Sequence, residues 1–385
     1  MGIERTAEVD VEGEIEGETE VEVESAVRRG GTGRSARLAA HGAVSTALAL
    51  HSDRALQELL DAAGTTGTGI GGRTTLLEVG GTRVFVKRVP LTDLERQPGN
   101  IRSTANLFEL PLFSQYGVGG PGFGAWRELA VHTMTTNWVL TGAYDGFPLT
   151  HHWRILPDSA PLYGELADVA EAAANWGTGG AAVRRRIDAL RRSSASIALF
   201  LEYVPQNLHE WLGQQLAAGD EAAERACALV ESGLEAGTSF MSSRGLLHFD
   251  THFENILTDG ERLYFADYGL ALSSGFELSL EERAFFDRHR GYDRFYSAGY
   301  LVNWLVATLH GRDRRAAQVR AYAEGERPTG VPAGVAAVLS RDAPLAAVMA
   351  DFIRRLTDES KQTPYPLGEL HRVGAVRGAS GNSPA

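Results

Sequence analysis

The stretch "LLHFDTHFENILTDGERLYFADYGLAL", residues 246–272, decides how the rest of the chain is interpreted. Its short apolar runs predict two short strands joined by loops. Asp250, Asn255 and Asp267 stand beside these runs, so three oxygen-bearing side chains are expected next to buried backbone. A soluble chain that places them there needs a chemical reason for doing so, and the composition limits what that reason is.

The composition is that of an ordinary globular protein. The chain has 385 residues, 43% hydrophobic and 22% charged, which is enough for two domains or two lobes with a sizeable core. The net charge is −12, but residues 1–25 hold ten Asp or Glu and one Arg, so the other 360 residues carry only −3. This nearly neutral body gives no signal for nucleic acid or membrane, and neither partner is expected.

The sequence favours a cytoplasmic protein. A single cysteine, Cys227, excludes an intramolecular disulfide and suits a reducing compartment. The N-terminus is acidic where a secretion signal would be basic and then apolar. No apolar run approaches the roughly 20 residues that a membrane span requires. The oligomeric state stays unknown at this level.

Composition shifts divide the chain into four parts, and its fold class is predicted to be α+β. The expected parts are an acidic disordered tail at 1–35, a strand-rich half with a leading helix at 36–204, a helix-rich half at 205–370, and a flexible tail at 371–385. The two unlike halves suggest two lobes that meet near residue 205.

Individual elements of the first half can be predicted from periodicity and turn residues. Residues 36–63 favour one helix, and residues 125–140 another. Gly80-Gly81 joins two β-branched runs and predicts a hairpin turn. The stretches 147–156 and 196–204 favour strands, with an arginine-rich helical insert around 165–193.

The quoted stretch carries a spaced set of catalytic residue types. His248, Asp250 and Asn255 fit H-x-D-x-x-x-x-N, and Asp267-Tyr268-Gly269 begins twelve residues after Asn255. Phosphoryl transfer uses such a set, because one carboxylate can orient a substrate hydroxyl and accept its proton. An Asn oxygen and a second carboxylate can hold Mg²⁺.

Simpler interpretations exist for each residue of this set. A lone Asp-x-Gly is a commonplace turn. His248 and His252 lie four apart, but zinc would need a third nitrogen or sulfur ligand that the sequence does not offer. We therefore expect His248 to be a packed, hydrogen-bonded scaffold residue.

Together, "GLLHFDTHFENIL" and "FADYGLAL" resemble the catalytic loop and the metal-binding segment of the protein-kinase-like superfamily, with Tyr268 in place of Phe. That superfamily includes eukaryotic-type protein kinases and small-molecule kinases such as aminoglycoside and choline phosphotransferases. The resemblance covers roughly residues 65–310. It implies a two-lobed fold with a β-rich N-lobe and a helical C-lobe, and it implies ATP and Mg²⁺ as cofactors, with Asn255 and Asp267 as metal ligands.

The resemblance also implies phosphate-binding residues upstream. Lys87 in "RVFVKRV" lies inside a β-branched run and would reach the α- and β-phosphates, although a lone lysine there would be interpreted as a snorkelling edge residue. Gly67, Gly69 and Gly72 fit a glycine-rich loop. A rival glycine cluster at 117–124 follows Lys87, the wrong order for the family, and is assigned to a hinge or to the start of a helix.

A glutamate on the next helix should pair with the lysine, and an adenine-binding hinge should follow. Glu128 is the first choice for this pairing, which requires an insertion at about 92–123, and Glu109 is the second. The stretch "ALFLEYVPQNLHEWL" resembles the hinge, and its strand-end residues are implied adenine contacts: Leu201, Glu202 and Val204.

Three departures from the family pattern affect the expected function. Phe249 replaces the Arg that often precedes the catalytic Asp, so we expect activity that does not depend on loop phosphorylation. His252 stands where many protein kinases have Lys, and its imidazolium could stabilise charge on the transferring phosphoryl group. The A-P-E motif is missing, and Asp293 is displaced by one position relative to Gly299.

The sequence thus predicts an ATP-dependent kinase in which Asp250, Lys87, Glu128 and His252 are catalytic. Its first-choice acceptor is a protein Ser/Thr hydroxyl, with a small-molecule alcohol of the aminoglycoside or choline type close behind. A non-catalytic pseudokinase scaffold is the third alternative. The basic run 184–192 is expected to be a solvated helix face.

Overall fold

The computed structural model describes residues 33–69, 72–117, 120–159 and 176–380. Most of the predicted acidic tail, residues 1–32, and the first part of the predicted arginine-rich insert, residues 160–175, lie outside this range. The described chain is a mixed α+β structure, as predicted: a five-stranded antiparallel sheet is followed by a largely helical part.

The single helix predicted for 36–63 is two helices, α1 at 33–49 and α2 at Asp53–Ala63. The break is made by Ser52, whose hydroxyl accepts a hydrogen bond from the α2 backbone and so caps that helix. Helix α1 begins inside the segment predicted to be disordered, because Arg34 donates to the Val139 carbonyl at 2.8 Å and is thereby tied to the folded body.

The sheet has the strand order β1-β2-β3-β5-β4, and all of its pairings are antiparallel. The predicted hairpin is confirmed: Val79 and Thr82 pair across Gly80-Gly81, whose positive φ values of 57° and 78° suit glycine. The strands are β1 Gly67–Gly69, β2 Gly72–Val79, β3 Thr82–Leu91, β4 Thr150–Pro157 and β5 Ala195–Glu202.

The two faces of this sheet are covered by different helices. Alternation along β3 sends Val84 and Val86 to one face, where α1 and α2 pack. Val89 lies on the opposite face, against helix α3, Ala125–Leu140, which has the bounds predicted from sequence. Lys87 has the same parity as Val89, so the period-two pattern turns it toward α3.

After β5 the chain is mainly helical. The small strands β6 Gln206–Asn207, β8 Ile256–Thr258 and β9 Leu263–Phe265 form one sheet, and β7 Leu246–Leu247 pairs with β10 Leu272–Ser273. The 246–272 stretch was predicted to contain two short strands, but it contains β7, β8, β9 and the first residue of β10. The remaining helices are α4 Gly180–Arg191, α5 Leu208–Ala217, α6 Asp220–Ser243, α7 Leu280–Arg288, α8 Tyr292–His310, α9 Arg315–Ala323, α10 Ala333–Asp358 and α11 Leu367–Ser380.

The C-terminal end differs from the prediction. A flexible tail was expected from residue 371, but α11 continues to Ser380, and residues 381–385 lie outside the described range. Leu370 is fully buried and His371 contacts the Phe295 ring, so packing on the body supports a helix that local composition does not suggest. Within the described chain, α10 alone has the length and apolarity of a membrane span, but much of it is buried in the core.

The insertion between β3 and α3 is held by one buried ion pair. Arg186 of α4 lies 2.8 Å from the Glu95 carboxylate, and both side chains are almost fully buried. The same carboxylate accepts from the backbone of Thr92 and from the first amide of α3, Ala125, at 2.8 Å. The basic run 184–192 was therefore wrongly predicted to be only a solvated face, because its residue 186 lies on the buried side of α4.

Replacing Glu95 by Ala should lower the free energy of unfolding by about 3–5 kcal/mol, since it leaves a buried guanidinium without its charge partner. Asp93→Ala is the matched control, because the Asp93 side chain is 75% exposed and its contact with Arg96 is 3.6 Å long. Urea denaturation followed by circular dichroism measures both variants. Equal losses in the two would contradict this account.

Candidate active site

Lys87 occupies the centre of the candidate site. Its ammonium lies 2.8 Å from a carboxylate oxygen of Glu128 and 2.8 Å from one of Asp267. Its side chain is 7% exposed, so the sheet and α3 remove it from bulk water. Glu128 comes from the first turn of α3 and Asp267 from the loop after β9, and one buried cation therefore joins three separate elements.

The protonation states of this trio follow from their proximity. Burial opposes the charge on Lys87, but the Asp267 and Glu128 carboxylates raise its pKa above the usual value. Burial likewise opposes ionisation of Asp267, yet the Lys87 ammonium lowers its pKa to about 2. Burial raises the pKa of Glu128 despite the neighbouring ammonium. Lys87 and Asp267 are therefore both ionised at neutral pH.

The structure distinguishes the two glutamates that were candidates to pair with Lys87. Glu109 is exposed, adopts a left-handed φ of 54°, and lies 3.7 Å from Arg185 rather than near Lys87. Glu128 contacts Lys87 because helix α3, which follows the insertion, packs on the face of the sheet that carries Lys87. The glycine cluster at its end does lead into a helix, since Gly124 is the N-cap of α3.

The loop that carries Asp250 is fixed from below by Asp293. The two Asp293 carboxylate oxygens accept from the backbone amides of His248 at 2.6 Å and Phe249 at 2.8 Å. These bonds hold Phe249 at a φ of 64°, a left-handed conformation that is unfavourable for a phenylalanine. The one-residue displacement of Asp293 seen in the sequence therefore does not separate it from the loop.

His248 is a buried scaffold residue, as predicted. Its Nε2 lies 2.9 Å from the Ala266 carbonyl, and its ring lies 5.4 Å from that of Tyr268. Tyr268 in turn contacts the His132 ring of α3 at 4.8 Å. A continuous row of three rings in edge-to-face contact thus connects the Asp250 loop, the Asp267 segment and the helix that carries Glu128. His132 was not predicted from the sequence, because a single histidine four residues after Glu128 in a helix belongs to no recognisable motif.

A cluster of polar side chains lies close to these three rings. Its members are Asp250, His252 and Asn255. The Asn255 amide nitrogen donates to the Asp250 carboxylate at 2.9 Å and to the Asp250 carbonyl at 3.1 Å. Since that nitrogen is engaged, the side-chain oxygen of Asn255 is the atom available to a cation. The Nε2 of His252 lies 3.6 Å from the other Asp250 oxygen.

A cavity of about 190 Å³ opens between these groups and is lined by both Asp250 and Asp267. Gly117 and residues 120–122 form one of its walls, and a Cβ at Gly122 would lie 2.9 Å from the Gly269 carbonyl. Arg186 also lines it. The rival glycine cluster therefore borders the cavity, which its position in the sequence did not predict.

The predicted glycine-rich loop and hinge occupy the ends of the main sheet. Gly67 and Gly69 lie on β1 and Gly72 starts β2, where a φ of 124° and the Arg88 carbonyl leave no room for a Cβ. The turn itself, residues 70–71, lies outside the described residues.

At the other end of the sheet, Leu201 is buried on the α3 face at the end of β5. Glu202 donates its amide to the Leu149 carbonyl, and its carboxylate is bound by Arg37 of α1 at 2.7 Å. Val204 follows the end of β5 in the link to β6.

The donor set is compatible with Mg²⁺ but not with a preformed all-protein metal cage. Among the described residues, no group of three or more His, Cys, Asp or Glu could hold a metal ion. Asp267 and Asn255 provide one carboxylate and one amide oxygen. Mg²⁺ commonly takes one or two such ligands and completes its shell with water and phosphate oxygens, so these two residues fit it.

Comparison with protein-family models finds no match for this chain, and comparison with curated proteins finds no relative. The α+β fold class follows from the helices and strands themselves. The function is inferred from the geometry of the site.

We expect Asp250 to titrate with a midpoint near 6 in the nucleotide-free protein, because burial, reinforced by the nearby Asp267 carboxylate, raises its pKa to about 6. Asp250 should thus become ionised as the pH rises through that value, whereas Asp267 should remain ionised down to about 2. Carboxyl ¹³C shifts measured by NMR, with Asp250→Asn for assignment, test this. A single common midpoint for both carboxylates would contradict it.

Proposed function

We propose that the protein is an ATP- and Mg²⁺-dependent phosphotransferase with a two-lobed, protein-kinase-like fold. The observation that carries the proposal is the contact of the Lys87 ammonium with both Glu128 and Asp267. A strand lysine paired with a glutamate of the following helix and with a metal-binding aspartate is the arrangement that kinases use at their phosphates. The sheet order and the positions of Asp250 and Asn255 support the same assignment.

Lys87 is the proposed ligand of the α- and β-phosphates, and Glu128 its positioning partner. Gly67, Gly69 and Gly72 are proposed to cover the nucleotide with backbone amides, and the strand end formed by Leu201, Glu202 and Val204 to receive adenine. The Glu202 amide already donates to the Leu149 carbonyl, so it is not the group proposed to bond to adenine.

Asp250 is the proposed orienting group and proton acceptor for the substrate hydroxyl. The hydroxyl oxygen forms a bond to the γ-phosphorus while the bond from that phosphorus to the β–γ bridging oxygen breaks, and the hydroxyl proton passes to the Asp250 carboxylate. ADP and a phosphate ester are the products. His252, 3.6 Å from Asp250, is placed to stabilise negative charge when protonated.

Asn255 and Asp267 are the proposed holders of Mg²⁺, which when bound would neutralise negative charge on the phosphate oxygens. Positioned charge accounts for most of the catalysis in this class of reaction, so the side chains that fix these oxygens matter as much as those that react. Here Lys87 orients Asp267, and the bonds from the Asn255 amide to Asp250 orient the side-chain oxygen of Asn255.

The acceptor is a hydroxyl compound, and two classes remain. The sequence favours a protein Ser/Thr hydroxyl, from the resemblance of the hinge and metal segments to protein kinases. A groove of about 740 Å³ that is bordered by Glu254 of the Asp250 loop favours a small alcohol instead, because one of its walls is formed by aromatic side chains. Label transfer from γ-labelled ATP to generic proteins or to small alcohols separates the classes.

Mg²⁺–ATP should raise the melting temperature of the wild-type protein, since ligand at about 100 times its Kd adds about 2.7 kcal/mol of stability. Asp267→Ala should abolish this shift, as should EDTA. Asp250→Asn should keep the shift but lower kcat by about 10²- to 10⁴-fold through loss of the proton acceptor. The exposed Asp287→Asn is the matched control. A wild-type protein without a shift would favour the pseudokinase scaffold.

Activity is proposed not to depend on phosphorylation of the segment 270–292. Glu282 of α7 pairs with Arg127 of α3 at 2.7 Å in a buried contact, and Glu277 accepts from the Ser103 hydroxyl and the Thr104 amide. Two carboxylates thus provide the counter-charge and anchoring that a phosphate provides in regulated kinases.

Treatment with a broad-specificity phosphatase should therefore leave kcat unchanged within about twofold, whereas Glu282→Gln should lower it, because the buried Arg127 loses its charge partner next to Glu128. Phosphate content measured by mass spectrometry accompanies the assay. An obligatory phosphosite between residues 270 and 292 would refute the proposal.

A further inference from the structure

A groove runs along one side of helix α8. Its volume is about 740 Å³, and it lies between α8 and the second half of α10. The residues of the Asp250 loop and of α5 that border it are Glu254 and His209. None of these groups takes part in the proposed binding of ATP, so the groove is open to another ligand.

One wall of the groove is aromatic. Tyr296, Tyr300 and Trp304 follow one another at intervals of four residues on α8 and therefore share one face. The rings of Tyr296 and Tyr300 lie 6.0 Å apart, and the Trp304 indole donates to His209 at 2.9 Å, which fixes its orientation. Met349 and Ile353 of α10 line the opposite side. Such a slot suits a flat, apolar body.

The aromatic wall begins one side chain away from Asp250. The imidazole of His252 lies 3.6 Å from the Asp250 carboxylate on one side, and its ring centre lies 6.4 Å from that of Tyr300 on the other. The pKa of Tyr296 is raised mainly by burial and secondly by the negative charge of Asp250, so Tyr296 also lies near Asp250. Tyr300 and Asp250 are therefore separated by one side chain, that of His252.

Charges of both signs line the groove: Arg312, Arg315, Arg354, Glu254 and Asp358. Arg354 is engaged by Asp351 at 2.8 Å and by a second carboxylate, that of residue 359, so its charge is balanced. Arg312 and Arg315 are exposed, and within the described part of the chain neither makes an ion pair or a side-chain hydrogen bond. Two guanidinium groups are thus free to bind an anion.

We infer that this groove binds the phosphoryl acceptor, and that the acceptor is a small alcohol with a flat apolar body and an anionic group. The inference rests on the proposed phosphotransferase function and names its substrate class. The hydroxyl faces Asp250, the body lies on Tyr300 and Trp304, and the anionic group meets Arg312 and Arg315. Cationic acceptors such as aminoglycosides or choline would face these arginines and are disfavoured.

The transfer balances as one displacement. The oxygen of the alcohol bonds to the γ-phosphorus of ATP, the bond to the β–γ bridging oxygen breaks, and the hydroxyl proton goes to Asp250 and then to solvent. The products are ADP and the phosphate monoester of the alcohol. No oxidant or further reactant is required.

Three benzylic alcohols of one shape test the charge requirement: 4-(hydroxymethyl)benzoate, the neutral 4-methylbenzyl alcohol and the cationic 4-(aminomethyl)benzyl alcohol. Each is incubated with the full chain, Mg²⁺ and γ-labelled ATP, and kcat/KM is measured from the labelled ester. The benzoate should exceed the other two by about tenfold or more, as expected for charged hydrogen bonds from two arginines.

The double variant Arg312→Glu/Arg315→Glu should remove this preference and leave the KM for ATP unchanged. Arg314→Glu is the matched control, because Arg314 is exposed in the same short turn but does not line the groove. The control should keep the wild-type preference. Since all three residues are exposed, misfolding is not expected to mask the comparison, and circular dichroism checks it.

Failure of this inference differs from failure of the proposed function. A protein that shows the Asp267-dependent Mg²⁺–ATP shift but labels none of the three alcohols, prefers the cationic or neutral one, or labels only protein hydroxyls would overturn the substrate class and leave the phosphotransferase proposal standing. An unchanged preference in the double variant would also overturn it. Absence of Mg²⁺–ATP binding would remove both.

Discussion

A single buried ammonium connects the parts of this protein. Removing an ion the size of an ammonium group from water costs several kcal/mol, and the cost is offset only by well-placed opposite charge. Lys87 has two such charges within 2.8 Å, one from α3 and one from the loop after β9. The sheet, the helix beneath it and the Asp267 segment must therefore keep a fixed relation, because a displacement of any of them would leave a buried charge unpaired.

The loops around this cation are held by bonds to the backbone rather than by packing alone. Phe249 and Asp267 both adopt left-handed φ values, 64° and 61°, which cost free energy in non-glycine residues. Asp293 stabilises the conformation at Phe249 by accepting two hydrogen bonds from backbone amides, and the contact with Lys87 stabilises the conformation at Asp267. Of the four non-glycine residues with left-handed φ values in the described part of the chain, these two lie at the proposed site, since Phe249 precedes Asp250 and Asp267 is itself a proposed metal ligand. This is the pattern expected where side chains are held in place before a ligand binds.

The sequence predicted the local parts of the site better than its long-range contacts. Asp250, Asn255 and Asp267 lie within eighteen residues, so their spacing alone brings them near each other. Lys87 was indicated by its place in an alternating strand, since a charge at an apolar position needs a buried partner. Its partner was ambiguous, because the insertion at 92–123 hides which glutamate returns to the sheet. Only tertiary contacts distinguish Glu128 from Glu109.

The predicted ends of the folded part and the prediction for the basic run were wrong for a related reason. Local composition made residues 33–35 and 371–380 look disordered, but Arg34 and Leu370 gain contacts with distant segments that composition does not encode. The basic run 184–192 looked like a solvated face, because a helix buries only one side and the sequence does not say which arginine lies there. Arg186 is that residue, and its partner Glu95 lies 91 positions away.

The same distant contacts hold Glu128 in place beside Lys87. Helix α3 must present Glu128 to Lys87, and isolated helices of its length are marginal in water. Its first amide is bound by Glu95, which Arg186 holds in turn, and the same first turn is bound to α7 through Arg127 and Glu282. Both anchors are buried ion pairs, so they persist in salt that would screen surface charges. The position of Glu128 is therefore a property of the folded chain itself, and the insertion that obscured it in the sequence is the part that fixes it.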